Sequence, residues 1–176
     1  DADTLQAAAV CLMPIGKFQD SLMFLRRAAE FDPLACTIQM DIGILLHLQG
    51  RSEDAIAHCR AALDLNPNHR EAEWQLGLAL QQAGKLAEAL ACFGRAAGRT
   101  GEELPALGTI GNCYVEDGRK DIAVEMLRRL ESARDQDAAT ILHGRALIHA
   151  ALSEPEEALA CLEQCAQLRS SRLVLL

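Results

Sequence analysis

Residues 70–98 read REAEWQLGLALQQAGKLAEALACFGRAAG, two stretches of helical periodicity parted by Gly84-Lys85. A glycine followed by a basic residue suits a helix C-terminus and a tight turn. Working outward in both directions, the same punctuation returns at a fixed interval. Gly16, Gly50, Gly84 and Gly118 are 34 residues apart, and so are Gly43, Gly77 and Gly111, with Ala9 one period earlier. Ala55, Ala89 and Ala123 share a column whose first member is Ser21, while Ala28, Ala62 and Ala96 share another. Pro33 and Pro67 close the first two units. A clock kept across this many columns marks an internal repeat.

The unit follows from the residue types. Its second helix reads SLMFLRRAAEFDP, AIAHCRAALDLNP, ALACFGRAA, AVEMLRRLE and ALACLEQCAQL in successive copies. Small residues in the Gly and Ala columns let two antiparallel helices approach closely. Leu12, Leu46, Leu80, Phe93, Leu127 and Leu162 fill the space between them. Pro33 and Pro67 end a second helix, because proline lacks the amide that the next helical turn needs. The unit is a helix–turn–helix pair.

Composition agrees. The chain has 176 residues, half of them apolar, enough to bury a core in one domain or two small ones. Thirty residues are Ala and 28 are Leu, against six aromatics, which favours helix over strand. A formal charge of −8 argues against a nucleic-acid surface, which needs a basic stripe. No apolar run approaches the ~18 residues of a membrane span. Seven cysteines include no C-x-x-C pair, and the nearest two, Cys161 and Cys165, are four apart. An odd number in a chain of this length suits a reducing compartment, so a cytoplasmic location is expected. The opening Asp1-Ala2-Asp3 lacks both an initiator Met and a signal-like segment, and a fragment of a longer chain is expected.

The pattern resembles the tetratricopeptide repeat. The third unit fits best, with Leu76-Gly77, Leu80, Gly84, Ala89, Phe93 and Ala96 in register, although Trp74 sits one residue later than the family's usual tryptophan. Cys59 replaces the large apolar residue of the second unit, and the fourth carries Ile110-Gly111, Tyr114, Gly118 and Ala123. The fifth needs one inserted residue, places Arg145 and His149 in apolar columns, and has Ser153 for the glycine. Ser153-Glu154-Pro155-Glu156 reads as an N-cap, a first-turn proline and a capping-box glutamate. The resemblance implies an all-α, right-handed superhelical solenoid of about five repeats and ten helices. The repeats run approximately 2–35, 36–69, 70–103, 104–138 and 139–168. Residues 169–176 form an apolar tail, expected to be a truncated cap or a segment that docks on a neighbour.

In proteins similar to this one, the first helices line a groove that binds partners through residues one turn apart. The pairs carried over are Gln6 and Val10, Met40 and Ile44, Trp74 and Leu78, Gly108 and Asn112, and His143 and Leu147. Further positions at the helix ends include His47 and Leu48, Gln81 and Gln82, and Val115 and Glu116. Val10, Met40, Ile44, Trp74 and Leu78 would make an apolar stripe. A tryptophan side chain buries ~150–250 Å², so covering Trp74 is worth on the order of 4–6 kcal/mol before entropy. Patches of this kind mark binding surfaces. The alternative is packing of the same residues against adjacent units. Family members that grip carboxylate tails of chaperones do so with Lys, Arg and Asn, which this groove lacks apart from Asn112. A carboxylate clamp is therefore not expected.

Catalysis and cofactors are not expected either. His47, His58, His69, His143 and His149 make no i, i+4 pair with a nearby carboxylate, so no metal site is expected. The glycines recur singly and form no phosphate loop. The expected role is a non-catalytic scaffold that holds an apolar helix or extended peptide in the groove. The alternative is a self-associating homodimer or a regulatory or sensor module. In it the apolar stripe or the Leu173–Leu176 tail meets a second copy or a missing domain. A sensor module is suggested by a second resemblance, of the degenerate last repeat and its Arg/Ser and Leu-Val tail to the C-terminal repeats of some bacterial signalling proteins. In those proteins the array follows a winged-helix, kinase or cyclase domain.

Overall fold

The computed structural model describes residues 1–98, 103–133 and 138–168, which form ten helices and no strand. They are α1 (Ala2–Leu12), α2 (Phe18–Phe31), α3 (Cys36–Leu48), α4 (Ser52–Leu65), α5 (Arg70–Gln82), α6 (Leu86–Gly98), α7 (Glu103–Glu116), α8 (Lys120–Ser132), α9 (Ala138–Ala151) and α10 (Pro155–Gln167). The fold is an all-α solenoid of helical repeats, odd-numbered helices leading each pair. The tail 169–176 lies outside the described residues.

One turn joins the helices of every pair. Gly16, Gly50, Gly84 and Gly118 adopt φ of +74° to +81°. The glycine N–H donates back three residues, as Gly50 N does to His47 O at 2.9 Å, and the following basic residue donates back five, as Arg51 N does to Leu46 O at 2.9 Å. This double closure satisfies the last carbonyls of the first helix and demands a left-handed residue after it. The fifth turn makes the same bonds from Ser153 and Glu154 to Ala150 and His149. Ser153 is forced to φ 66° there.

That geometry corrects the expected cap of α10. Ser153 is the turn residue rather than the N-cap; Glu154 is the N-cap and its side chain makes no capping bond. The Glu154 carboxylate instead meets His149 Nδ1 at 2.7 Å. Two residues foreign to their columns thus satisfy each other.

The chain divides into two compact units, Asp1–Ala96 and Ala97–Leu176. In the first, the small-residue columns seat the second helix of each pair. A Cβ on Gly43 would stand 2.7 Å from Cys59 Sγ, and one on Gly77 would stand 2.5 Å from the Phe93 ring. Cys59 therefore fills the place that Phe93 fills one repeat later. Ser21, in the column otherwise held by alanine, is fully buried and donates to Ala9 O at 2.9 Å. Glu73 is also buried and is held by Arg95 Nη2 at 2.6 Å. It occupies the position next to Trp74 where the family's tryptophan was expected.

The second unit packs differently. A Cβ on Gly111 would meet the Ile148 side chain of α9 at 2.7 Å, with Met126 of α8 at 3.7 Å. Gly108 faces Gly144, so α7 and α9 cross backbone to backbone. Leu107, Ala123, Leu127, Leu130 and Ile148 form the core of this crossing. A second cluster of Leu142, Ala146, Cys161 and Cys165 joins α9 to α10.

Candidate functional site

Residues i, i+3 and i+7 of a helix share one face. On α1, α3 and α5 that relation gathers Asp3, Gln6 and Val10, then Thr37, Met40 and Ile44, then Glu71, Trp74 and Leu78. Polar side chains link the three helices. Gln6 Nε2 donates to Asp41 Oδ2 at 2.7 Å, and Thr37 Oγ1 donates to Gln6 Oε1 at 3.5 Å. Further along, His47 is hydrogen-bonded to Gln82, whose Oε1 accepts from Ser52 Oγ at 2.7 Å.

The apolar residues named from the sequence lie on this face with differing exposure. Val10 is 44% exposed and Leu48 52% exposed. Met40, Ile44, Trp74 and Leu78 are partly buried, as are His47 and Gln81. Trp74 is shared between two roles. Its ring lies 4.8 Å from that of Phe93, tilted by 52°, so one side supports the α5–α6 pair. Gln6 is also partly buried, and its amide serves as a brace between α1 and α3.

Two titratable groups on the face are perturbed by burial. Burial pushes the Asp41 carboxyl above its usual value, against the hydrogen bond from Gln6 and the field of His69. Burial pulls the His47 imidazole down, opposed by the Gln82 bond, and its Nδ1 is buried without a hydrogen-bond partner. Asp41 was missed in the sequence although a signal was present. It is the sole Asp, Glu, Lys or Arg in the α3 sequence CTIQMDIGILLHL.

The remaining predicted positions belong to the second unit. Asn112 and His143 are partly buried, as are Leu147 and Val115, while Glu116 is exposed. Gly108 requires a correction. It lies buried at the Gly144 crossing and cannot line a groove, because α9 closes directly over it. A cleft of about 480 Å³ opens elsewhere in this unit, floored by Leu130, Ile141 and Leu142 and edged by Arg145, Glu131 and Gln164.

Five of the seven cysteines are buried, and Cys11 is exposed. Burial pushes the Cys59 thiol to about 12 and those of Cys92 and Cys113 to about 11, so they stay protonated at neutral pH and pack as small hydrophobes. Among the described residues, no group of three or more His, Cys, Asp or Glu could hold a metal ion. No described helix is long and apolar enough to cross a membrane.

Two family models, each described as tetratricopeptide repeat, match residues 46–102 and residues 15–70 with 109–170. The chain belongs to the tetratricopeptide repeat family. Solved tetratricopeptide repeat proteins share its fold. TTC0263, a thermophilic protein of Thermus thermophilus, is 17% identical with a TM-score of 0.77, and the match covers 100% of both chains. YrrB, described as having an unusual peptide-binding site, is 22% identical with a TM-score of 0.61 over 99% of this chain and 90% of its own. MamA is 19% identical with a TM-score of 0.62 over 86% and 88%. No curated protein sequence matches the chain. Its tetratricopeptide repeats support a protein-interaction scaffold in general terms.

Proposed function

We propose that this tetratricopeptide repeat chain is a non-catalytic interaction module that holds an apolar helix or extended peptide on the face formed by α1, α3 and α5. The observation that carries this reading is the row of Val10, Met40, Ile44, Trp74 and Leu78 on a face where the partly buried Gln6 braces α1 against Asp41 and Thr37 of α3. A face braced in this way loses little freedom on binding, which lowers the entropic cost of association. The peptide-binding site named for YrrB supports the same class of partner. An odd number of cysteines with no C-x-x-C pair suits the reducing cytoplasm.

The test selects peptides from a random 16-residue library against the protein. Trp74 is the single tryptophan, so its fluorescence reports occupancy of the face. Selected peptides are expected to shift that emission and to lose at least tenfold in affinity when Met40→Lys and Ile44→Lys are combined, with helicity by circular dichroism unchanged. Equal affinity for the variant would remove the site assignment. Light scattering across a concentration range tests self-association in the same sample. A dimer that dissociates on peptide binding would make a second copy the competing occupant of this face.

A further inference from the structure

The first unit segregates its charges by helix. Of its eight Lys and Arg residues, Lys17, Arg26, Arg27, Arg51, Arg60, Lys85 and Arg95 all lie on turns or second helices. The leading helices α1 and α3 carry none, and α5 carries only Arg70, at its first position. Their acidic residues are Asp3, Asp41, Glu71 and Glu73. Glu73 is buried and held by Arg95, and Asp41 is buried under Gln6, so neither is open to a partner.

Asp3 and Glu71 are different. Both are exposed, Asp3 seven residues before Val10 and Glu71 three residues before Trp74. Three residues of helix advance about 4.5 Å, and seven advance about 10 Å. The carboxylates therefore border the apolar row on its N-terminal side. Glu71 accepts from Gln75 Nε2 at 2.8 Å, a bond that leaves its charge intact. On the opposite border stand His47, Leu48, Gln81 and Gln82, none of which is a lysine or arginine. Arg70, exposed beside Glu71, is the one opposing cation among these helices.

We infer that the partner is a segment with an apolar face flanked on one side by lysine or arginine, its apolar side chains resting on Met40, Ile44, Trp74 and Leu78 and its cations lying over Asp3 and Glu71. The inference rests on the proposed binding face and adds the sign and placement of charge. An acidic segment would bring like charges together with few cations on the face to meet them. Complementary rim charge acts chiefly by selecting partners and speeding encounter. A helix of 14–18 residues would be about 21–27 Å long, enough to cross three helices packed 8–10 Å apart.

The test uses two synthetic 18-residue amphipathic helices with the same leucine face, one bearing lysines on its flank and the other glutamates. Each is titrated against the protein and followed by Trp74 emission. The Leu/Lys peptide is expected to bind at least tenfold more tightly than the Leu/Glu peptide, with the gap narrowing as salt is raised. Exposed charge pairs are each worth up to about a few-fold, so Asp3→Asn with Glu71→Gln should weaken the Leu/Lys peptide by about fivefold. Neutralising Glu156 and Glu157, exposed on α10, removes the same net charge and should leave affinity unchanged. An equal loss from both double variants would overturn the inference, because attraction would then come from overall charge. Equal binding of the two peptides would overturn the charge assignment and leave the apolar face standing. Failure of both peptides to move Trp74 would bring down the face as well.

Discussion

Arg95 Nη2 lies 2.6 Å from Glu73 Oε1 across the α5–α6 pair, and Arg95 Nε lies 3.0 Å from the same oxygen. The glutamate side chain is 6% exposed and the arginine 53%. Removing one partner of a fully buried ion pair costs about 3–5 kcal/mol, because the other charge is left without compensation. Water around the half-exposed arginine screens part of that. Arg95→Ala is therefore expected to lose about 2 kcal/mol in urea denaturation, and Glu73→Gln less. A variant as stable as the parent would mean that the Glu73 carboxylate is solvated.

Glycine contacts predict two penalties of different size. Gly77→Ala drives a methyl group into the Phe93 ring, which is fully buried, and overpacking of this kind costs about 1–3 kcal/mol. Adding Phe93→Leu should return part of that loss, as a double-mutant cycle would register. Gly108→Ala presses on Gly144 backbone, which has no rotamer with which to yield. Its cost is expected to exceed that of Gly77→Ala, and the reverse order would discredit the α7–α9 crossing.

The fifth turn holds the one described non-glycine residue at positive φ. Left-handed backbone costs an ordinary residue roughly 1–2 kcal/mol, and the greater freedom of unfolded glycine offsets part of the relief. Ser153→Gly should therefore raise stability by about 0.5–1 kcal/mol, seen as a higher urea midpoint at unchanged slope. Gly50→Ala, at φ +74°, should lose about 1 kcal/mol by the same reasoning.

Burial lowers the imidazoles of both His47 and His58 below 6.5. Between the folded value and 6.5, the unfolded chain holds more protons than the folded one, so stability rises with pH across that window. It should be level above 6.5 and fall as the solution is acidified through the window. Asp41, pushed above 3.8, acts in the opposite sense and is common to every variant compared. Urea midpoints from about pH 7.5 to 5 should show a shallower acid slope in His47→Gln combined with His58→Gln. Identical slopes would rule out these two imidazoles as the source.

Much of this was legible in the residues. The turn glycines and the Gly43 and Gly77 columns follow from backbone rules that act within one repeat, so periodicity alone exposes them. Gly111 obeys the same spacing but meets Ile148, because spacing says where a small residue lies and not which helix approaches it. The candidate face came from the resemblance to the family, carried over as pairs one turn apart on each first helix. The bracing of Gln6 by Asp41 was not legible, since it joins residues 35 positions apart through side chains that no repeat column requires. Ser153 was misread for a simple reason: serine is a common N-cap, and only the hydrogen bonds to Ala150 and His149 reveal a turn.

The differing partners of the small-residue columns bear on how such a chain can be lengthened. In the first unit, Gly43 finds Cys59 and Gly77 finds Phe93 within their own helix pair, so a duplicated 36–69 segment would carry its own internal fit. A duplicated α7–α8 pair would leave Gly108 and Gly111 without α9, the helix they were shaped to receive. Gene duplication, or a designer splicing in an extra module, has a tolerant point of entry among the early repeats and an intolerant one among the late.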